Sequence, residues 1–323
     1  MQPLSNDVSS PENEGPRFRI AVALGSTTVE TLTIAIEFRL DLRRTLSYMP
    51  GHFRSDGWWR AWRTEDGAAT IHIRRGRAGV EGRAFGPGAS KAVESLSGLI
   101  GGDDRPADLR TDHPLIGELH RSHPGLRIGK TGSVFEALTI AIVTQKVTGK
   151  EAGHSLKMLR RYFADPAPGP EPASGPPLRL PPDPDRLAAT SYFNLHPLGI
   201  EKRRADTLLG AARQFDRIER LRFVGPGAAT DYLERLPGIG PWTSAETVAV
   251  SHGDPDALSV GDYHLKNVIA WHLSGHPRGT DQEMIDLLEE FRPQRGRVAR
   301  LVSLLGHAPA FGPRQPLRSF AAY

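Results

Sequence analysis

The sequence predicts a mostly α-helical protein with a small α+β domain at its N-terminal end. Apolar and polar residues alternate in several segments of the first third of the chain, as they do in half-buried strands. From Asp112 onward, apolar residues recur at helical spacing instead. We therefore expect an α+β domain with an antiparallel sheet over residues 17–111 and a helical body over residues 112–323.

The N-terminal domain is predicted from four segments. Residues 1–16 are polar and acidic, and we expect them to be disordered. Strict alternation over residues 17–24, again over 32–40 and again over 69–73 predicts three strands. Residues 90–100 carry apolar side chains at helical spacing before two glycines, which predicts one helix against the sheet.

Two capping boxes mark helix starts in the second part of the chain. Ser133 with Glu136 precedes an almost wholly apolar helix, and Thr280 with Glu283 precedes another. Residues 165–184 are rich in proline, glycine and alanine, which is typical of an exposed insertion rather than of a domain border.

Composition narrows the class of protein. The chain has 323 residues and no cysteine, which excludes disulfides, thiolate metal sites and a cysteine-held iron–sulfur cluster. It contains no run of about 18 apolar residues, and its first residues do not resemble a signal peptide, so we expect a cytoplasmic protein that does not enter a membrane. A formal charge of +4 suits a polyanionic partner, although many unrelated proteins share it.

The most informative motif is LPGIGPWT at residues 236–243. Gly238 and Gly240 let the backbone turn sharply and approach a ligand, and Pro241 can open a helix whose first amides would face an anion. Residues 231–236 also have a helical pattern, so the unit is a helix-hairpin-helix over residues 231–250. On the glycines alone, an ordinary helix–helix turn remains an alternative.

Together with Val260-Gly261-Asp262, this motif resembles the helix-hairpin-helix DNA glycosylases, the superfamily of endonuclease III, the adenine mismatch glycosylase and 8-oxoguanine glycosylase. The likeness is greatest to bacterial 3-methyladenine DNA glycosylase II. It spans roughly Asp112 to Gly306 and, more loosely, the N-terminal third, with further matches at residues 135–145, 198–205 and 291–295.

The resemblance implies the helix-hairpin-helix DNA glycosylase fold and a role for Asp262. In this family the hairpin, here Gly238, Ile239 and Gly240, grips the backbone of the damaged strand, and an aspartate drives loss of the base. A carboxylate near the sugar can stabilise an oxocarbenium-like state or position a water. Asp262 also fits a helix N-cap, and the two roles can coexist.

The aromatic residues bear on the type of chemistry. Trp242 occupies the position where strand-cleaving relatives carry a nucleophilic lysine, which implies a monofunctional enzyme that leaves an abasic site. An indole can stack on an electron-poor alkylated base, although a core tryptophan is the alternative. Tyr263 and Tyr48 are weaker pocket candidates that fit simple packing equally well.

Several polar residues are candidates for contact with DNA. A flipped base must be replaced in the stack, and the family's wedge residue follows the glutamine matched by Gln145. Lys146 stands there instead of the relative's leucine, and a lysine would fill the base stack poorly while pairing well with phosphate. The alternative is that Gln145 and Lys146 form the solvated end of a buried helix. The remaining matched basic residues are Lys202, Arg203 and Arg295.

The pocket itself departs from the relative's pattern. Glu246 and Ser303 replace aromatic residues, so the substrate range can differ.

His120 and His123 lack a third ligand, and we do not expect them to bind a metal. The resemblance does imply a structural monovalent cation on main-chain carbonyls, which here are those of Glu234, Leu236 and Ile239.

The sequence thus predicts a monomeric base-excision repair glycosylase that needs no cofactor and hydrolyses N-glycosidic bonds of alkylated purines, of the 3-methyladenine type, in double-stranded DNA. Two alternatives remain open. One is a glycosylase for other damaged bases on the same scaffold. The other is a non-catalytic helix-hairpin-helix DNA-binding protein, which would need neither Asp262 nor an N-terminal sheet.

Overall fold

The computed structural model describes the backbone of residues 17–24 and 27–310 and the side chains of residues 28–310. The expectation for residues 1–16 lies outside the described residues. The described sheet is antiparallel, with strand order β1-β2-β6-β5-β4-β3. Its strands are β1 Arg17–Leu24, β2 Thr27–Ile34, β3 His52–Arg54, β4 Gly57–Thr64, β5 Gly67–Arg75 and β6 Val80–Phe85.

Helices dominate the rest of the described chain, as the sequence predicts. Short 3-10 turns lie at residues 106–108, 196–198, 220–223 and 289–291. The α-helices are α1 Leu42–Leu46, α2 Ala89–Glu94, α3 Leu96–Leu99, α4 Pro114–Ser122, α5 Val134–Thr144, α6 Gly149–Phe163, α7 Pro184–Ala188, α8 Tyr192–Leu195, α9 Lys202–Ala212, α10 Phe215–Glu219, α11 Pro226–Leu233, α12 Pro241–Ser251, α13 Leu265–Ser274, α14 Asp281–Leu288 and α15 Arg295–Ser303.

The strand predicted over residues 32–40 is wrong beyond Ile34. β2 ends there because its partner β6 begins at Val80, which pairs with Ile34, so the residues after Ile34 have no backbone partner on that side among the described residues. Phe38 and Leu40 still pack against the cluster of apolar side chains on the inner face of the sheet. Their alternation therefore reflects burial without strand pairing.

The single helix predicted over residues 90–100 forms as two short helices, α2 and α3, interrupted at Ser95. The Ser95 hydroxyl donates a hydrogen bond to the Ala92 carbonyl, which favours a local turn. Val93, Leu96 and Leu99 are nevertheless fully buried against the sheet, as the spacing predicts.

The capping box predicted at Ser133 and Glu136 is wrong. Both side chains bind Arg60 of β4: its Nη2 lies 2.9 Å from Ser133 Oγ and 2.7 Å from Glu136 Oε2. Ser133 forms no side-chain cap, and the amide of Phe135 donates instead to Glu219 Oε2 at 2.9 Å. These buried polar side chains therefore join the sheet to the start of α5.

Of the capping box predicted at Thr280 and Glu283, only one of the two hydrogen bonds forms. Thr280 Oγ1 accepts from the amide of Glu283 at 3.0 Å, whereas the Glu283 carboxylate pairs with His276 at 2.8 Å. A complete capping box, not foreseen from the sequence, links Thr148 and Glu151 at the start of α6.

The proline-rich segment 165–184 lies over the outer face of the sheet. Leu178 packs against the small apolar cluster that contains Trp59 and Phe85, and Arg54 Nη2 donates to the Pro176 carbonyl at 3.3 Å. Much of the segment is exposed on its other side, in keeping with the predicted insertion.

Two further apolar clusters form the cores of the helical part. One surrounds α5 and includes Leu138 and Ile142, while the other is built mainly on α13, α14 and α15. Helix α5 thus begins at the sheet and ends at Thr144, immediately before Gln145. None of the described helices combines the length and apolar character of a membrane span.

Candidate functional site

The LPGIGPWT motif forms a hairpin between α11 and α12. Helix α11 begins earlier than predicted, at Pro226, and ends at Leu233. Gly238 has a φ of +83°, and a Cβ built there would lie 2.0 Å from Thr207 Oγ1. A Cβ on Gly240 would meet nothing within 4 Å. The first glycine is therefore required by the fold, whereas the second leaves the hairpin surface open.

The start of α12 presents unsatisfied amides. Pro241 occupies its first turn, and the N-cap residue Gly240 offers no side chain to cap it. The first amides of a helix point along its axis at its positive end, so they can bind a phosphate oxygen. This geometry agrees with the anion site expected from the glycines.

Gln145 braces the hairpin from the end of α5. Its side-chain amide donates to the Gly238 carbonyl at 3.0 Å and to Thr243 Oγ1 at 2.9 Å. The glutamine side chain is thus used within the protein. Lys146 follows it with a φ of +52°, which is uncommon for a residue with a side chain, and is exposed. Left-handed non-glycine residues concentrate at functional sites.

The structure brings Trp242 and Asp262 together. Trp242 Nε1 donates to Asp262 Oδ2 at 3.2 Å, across twenty positions of sequence. Asp262 Oδ1 accepts from the amides of His264 and Leu265, both at 2.8 Å. The carboxylate therefore caps the entry to α13 with one oxygen, as foreseen, and accepts from the indole with the other. Its catalytic role stays a prediction.

Glu246 lies one helical turn after Trp242, on the same face of α12. Its Oε1 accepts a hydrogen bond from the hydroxyl of Ser259, in the loop that leads to Asp262. Burial raises the pKa of Glu246, and the charge of Asp262 raises it further, whereas Ser259 and Arg300 act in the opposite direction. A second carboxyl group thus lies beside the first in a poorly hydrated setting.

Arg300 and Tyr48 complete this cluster. The Arg300 guanidinium lies over the Tyr48 ring, 4.5 Å from its centroid. Its Nη1 is buried and has no hydrogen-bond partner within residues 28–310. Burial lowers the pKa of Arg300, and the nearby Tyr48 and Glu246 oppose that effect. We refer to Trp242, Glu246, Ser259, Arg300 and Tyr48 as the pocket cluster.

The other predicted site residues occupy varied settings. Tyr263 is 64% exposed and Arg203 is also exposed. Lys202 Nζ pairs with Asp206 Oδ2 at 2.7 Å on the surface of α9. Arg295 is largely buried and binds both carboxylate oxygens of Asp256, at 3.0 and 2.6 Å. Contact of any of these side chains with DNA stays a prediction.

Two positions singled out in the sequence have local partners. The Ser303 hydroxyl donates to the Ala299 carbonyl within its own helix. His123 Nδ1 lies 3.0 Å from the Leu119 carbonyl, and the described residues contain no group of three metal-ligating side chains. The main-chain cation site at Glu234, Leu236 and Ile239 stays a prediction. Of its three carbonyls, that of Leu236 accepts a hydrogen bond from the Ile239 amide at 3.2 Å.

Arg300 and Ser259 were missed by the sequence reasoning. Arg300 follows Arg297 by three positions, so both lie on one side of α15. Arg297 is satisfied by Gln294, Asp104 and a carbonyl, whereas Nη1 of Arg300 is not. The available signal was an arginine on the same side of α15 as several apolar residues, but its neighbours come from distant segments of the chain.

No family model matches the chain. One curated relative, the Bacillus subtilis protein YfjP, described as a candidate DNA-3-methyladenine glycosylase, is 23% identical over 116 residues. That match spans 35% of this chain and only 40% of the relative.

Solved structures match over far more of the chain. The 3-methyladenine DNA glycosylase of Archaeoglobus fulgidus superposes with a TM-score of 0.68 at 18% identity, over 84% of this chain and 96% of its own. The Clostridium acetobutylicum 8-oxoguanine glycosylase/lyase gives 0.64 at 12% identity, over 88% and 97%. The fission yeast (Schizosaccharomyces pombe) 3-methyladenine glycosylase bound to abasic DNA gives 0.50 at 16%, over 64% and 98%.

The structural neighbours are thus helix-hairpin-helix DNA glycosylases, and the chain has their fold: a small antiparallel sheet followed by a helical body. The fold predicted from the hairpin and the periodicities is confirmed. Identities of 12–18% establish the fold alone.

Proposed function

We propose that this protein is a monofunctional DNA glycosylase that hydrolyses the N-glycosidic bond of alkylated purines, of the 3-methyladenine type, in double-stranded DNA. The observation that carries the proposal is the approach of Trp242 to Asp262 beside an open-ended hairpin. This arrangement supports the proposal because the reaction needs an aromatic face for the base, a carboxylate near the sugar and a helix N-terminus that can bind a phosphate.

The chemistry follows from these groups. As the bond from C1′ to the base nitrogen breaks, its electron pair leaves with the base, and an N-alkylated purine departs neutral without a general acid. Asp262 stabilises the positive charge that develops on the sugar. Water then adds to C1′ and loses a proton, which leaves an abasic site.

The hairpin holds the damaged strand. Amides at the start of α12 bind a phosphate, while Lys146, projecting from the neighbouring loop, occupies the region of the wedge. Gln145 fixes the distance between these two elements through its bonds to Gly238 and Thr243. Lys202, Arg203 and Arg295 are proposed as additional contacts to the DNA, and a monovalent cation on the hairpin carbonyls would reinforce the turn. The protein acts as a monomer in this proposal.

The decisive experiment incubates the protein with methylated duplex DNA and resolves released bases by chromatography. We expect free alkylpurines above the spontaneous background. Release of other damaged bases alone, in defined single-lesion duplexes, would favour the second type of glycosylase. DNA binding without release of any base would favour the non-catalytic alternative.

The monofunctional mechanism has its own test. Trp242 offers no amine for a Schiff base, so borohydride should trap no covalent enzyme–DNA adduct. A trapped adduct that persists in Lys146→Ala would contradict this part of the proposal and point to another amine.

A further inference from the structure

The pocket cluster combines an aromatic face with two charged side chains, Glu246 and Arg300, and Nη1 of Arg300 has no hydrogen-bond partner in the described part of the chain. Trp242 and Glu246 project from one face of α12, Ser259 belongs to the loop before Asp262, and Arg300 projects from α15. A base that stacked on the Trp242 indole beside Asp262 would therefore meet polar groups at its edge, in addition to the aromatic surface.

The protein groups that could pair with the edge of such a base are Arg300 and Glu246. Arg300 Nη1 carries N–H groups without a hydrogen-bond partner in the described part of the chain, although the atom is buried. The Ser259 hydroxyl occupies only Oε1 of Glu246, so Oε2 is the oxygen left for a ligand. Buried polar groups in native proteins are almost always hydrogen-bonded, so we expect a ligand or a water molecule to accept a hydrogen bond from Nη1.

We propose that Arg300 and Glu246 read the edge of a purine that carries an oxygen at C6, so that alkylated guanine is excised in preference to alkylated adenine. This inference rests on the proposed glycosylase function and specifies its substrate class.

The reason is complementarity. A 6-oxopurine presents an acceptor at O6 next to a donor at N1–H, which are complementary to an arginine N–H and a carboxylate oxygen in the same cluster. Arginine is the common partner of guanine O6, and carboxylates accept from base N–H groups. An adenine derivative places an amino group at C6, so its N–H donors would face the donors of Arg300. A site built on hydrogen bonds rejects a ligand that leaves its buried polar groups unpaired.

The neighbouring arginine of α15 does not share this arrangement. Arg297, one turn earlier on α15, has its Nε paired with Gln294 and its Nη2 paired with Asp104. Arg300 instead lies over the Tyr48 ring at 4.5 Å, which holds the guanidinium in place without using its N–H groups.

The test uses DNA treated with dimethyl sulfate, which carries 7-methylguanine and 3-methyladenine in the same duplex. The measured quantity is the ratio of their enzymatic release rates, after subtraction of spontaneous loss. Since intrinsic lability is the same for every variant, a change in the ratio reports the pocket. Arg300→Met should lower the ratio of 7-methylguanine to 3-methyladenine release on the order of tenfold.

Arg74→Met is the matched control. Arg74 is an exposed arginine on β5 that pairs with Glu81 at 3.0 Å, so its loss changes net charge equally and should leave the ratio unaltered. An unchanged ratio in Arg300→Met, or an equal fall of both rates, would overturn the inference while the glycosylase function stood. Failure of the unaltered protein to release either base would instead reject the proposed function, and the inference with it.

A second measurement needs no variant and covers the case in which Arg300→Met does not fold. Duplexes containing a single 7-methylguanine or a single 7-methyladenine both offer cationic bases that leave as neutral molecules, but only 7-methylguanine presents O6 beside N1–H. The unaltered protein should accelerate the release of 7-methylguanine over its spontaneous loss by a factor about tenfold greater than for 7-methyladenine. Equal factors, or a greater factor for 7-methyladenine, would overturn the inference.

Discussion

At the scale of single residues, Asp262 shows how one carboxylate serves two purposes. Oδ1 accepts two amides at the entry to α13, and Oδ2 accepts from the Trp242 indole. The sequence assigned Asp262 and Trp242 to one site through the family spacing and predicted the cap from local composition, whereas the hydrogen bond between the two residues is visible only in the structure. The sequence could not predict Arg300, because the partners that an arginine lacks are visible only once Tyr48 and Glu246 are placed around it.

Substitution of Asp262 should separate its two roles. Asp262→Asn keeps an oxygen for the His264 and Leu265 amides but loses the charge, so base release should fall on the order of a hundredfold or more with stability nearly unchanged. Asp262→Ala should lose about 1 kcal/mol of stability in addition. Single-turnover base release and urea unfolding measure the two effects. Normal excision by the Asn variant would leave Asp262 with the capping role alone.

Glu246 gives a prediction for pH. Burial, with the Asp262 charge, raises its pKa above the ordinary 4.5, while the Ser259 hydrogen bond and Arg300 oppose the shift. The folded state therefore binds this proton more tightly than the unfolded state, and stability is lost as pH rises from about 4.5 through the raised pKa. The Gln variant has no such proton, so Glu246→Gln should gain stability relative to the parent over that window. Urea unfolding of both proteins between pH 4 and 8 tests this; a constant difference would contradict it.

At the scale of elements, local sequence patterns predicted correctly those helices and strands that depend on residues close together in the sequence. Strands β1 and β5 and the helix-hairpin-helix were predicted from short windows of sequence. The capping box predicted at Ser133 does not form because Arg60, more than 70 positions away, donates hydrogen bonds to the side chains of both Ser133 and Glu136. The strand after Ile34 failed because alternation reports burial and carries no information on where a partner strand begins.

The hairpin prediction separates a glycine needed by the fold from one needed by DNA. A Cβ at Gly240 meets no neighbour within 4 Å, so Gly240→Val should fold normally. Its side chain would hold DNA away from the hairpin amides and weaken binding to abasic-site duplexes of different sequence by similar factors, roughly tenfold. Gly238→Ala should instead destabilise the protein, since φ is +83° and Thr207 occupies the space.

Salt dependence supplies the control for this comparison. Amide donors carry no formal charge, so the slope of log affinity against log salt should be the same in Gly240→Val as in the parent. Lys202→Met should lower that slope by about one if the side chain leaves Asp206 for a phosphate. Titration across several salt concentrations measures both, and unaltered affinity in Gly240→Val would remove the hairpin from the interface.

At the scale of the whole molecule, a buried ion pair joins the sheet to the helical body. Arg60 and Glu136 are 1% and 8% exposed, and their contact is 2.7 Å long. Removal of one partner leaves an uncompensated buried charge, which is costly, whereas exposed pairs contribute little. The relation of the two parts of the fold therefore depends on a contact that no local sequence pattern announces.

Arg60→Met should lower the free energy of unfolding by about 3 kcal/mol, and Glu136→Gln in the same protein should recover part of the loss. Arg121→Met, which removes a surface pair with Glu118, should change it by less than about 0.5 kcal/mol. Urea unfolding of the four proteins measures these differences. Equal small effects of the buried and surface substitutions would show that the pair does not couple the two parts.

The proline-rich segment has a consequence for anyone dividing the chain into fragments. Because Leu178 covers Trp59 and Phe85, and Ser174 Oγ accepts from the Ser55 amide at 3.1 Å, a polypeptide of residues 17–111 alone would leave an aromatic surface bare. Such a fragment should precipitate or associate with itself, since exposed apolar patches promote aggregation. Co-expression with a separate peptide spanning residues 165–184 would be expected to restore its solubility.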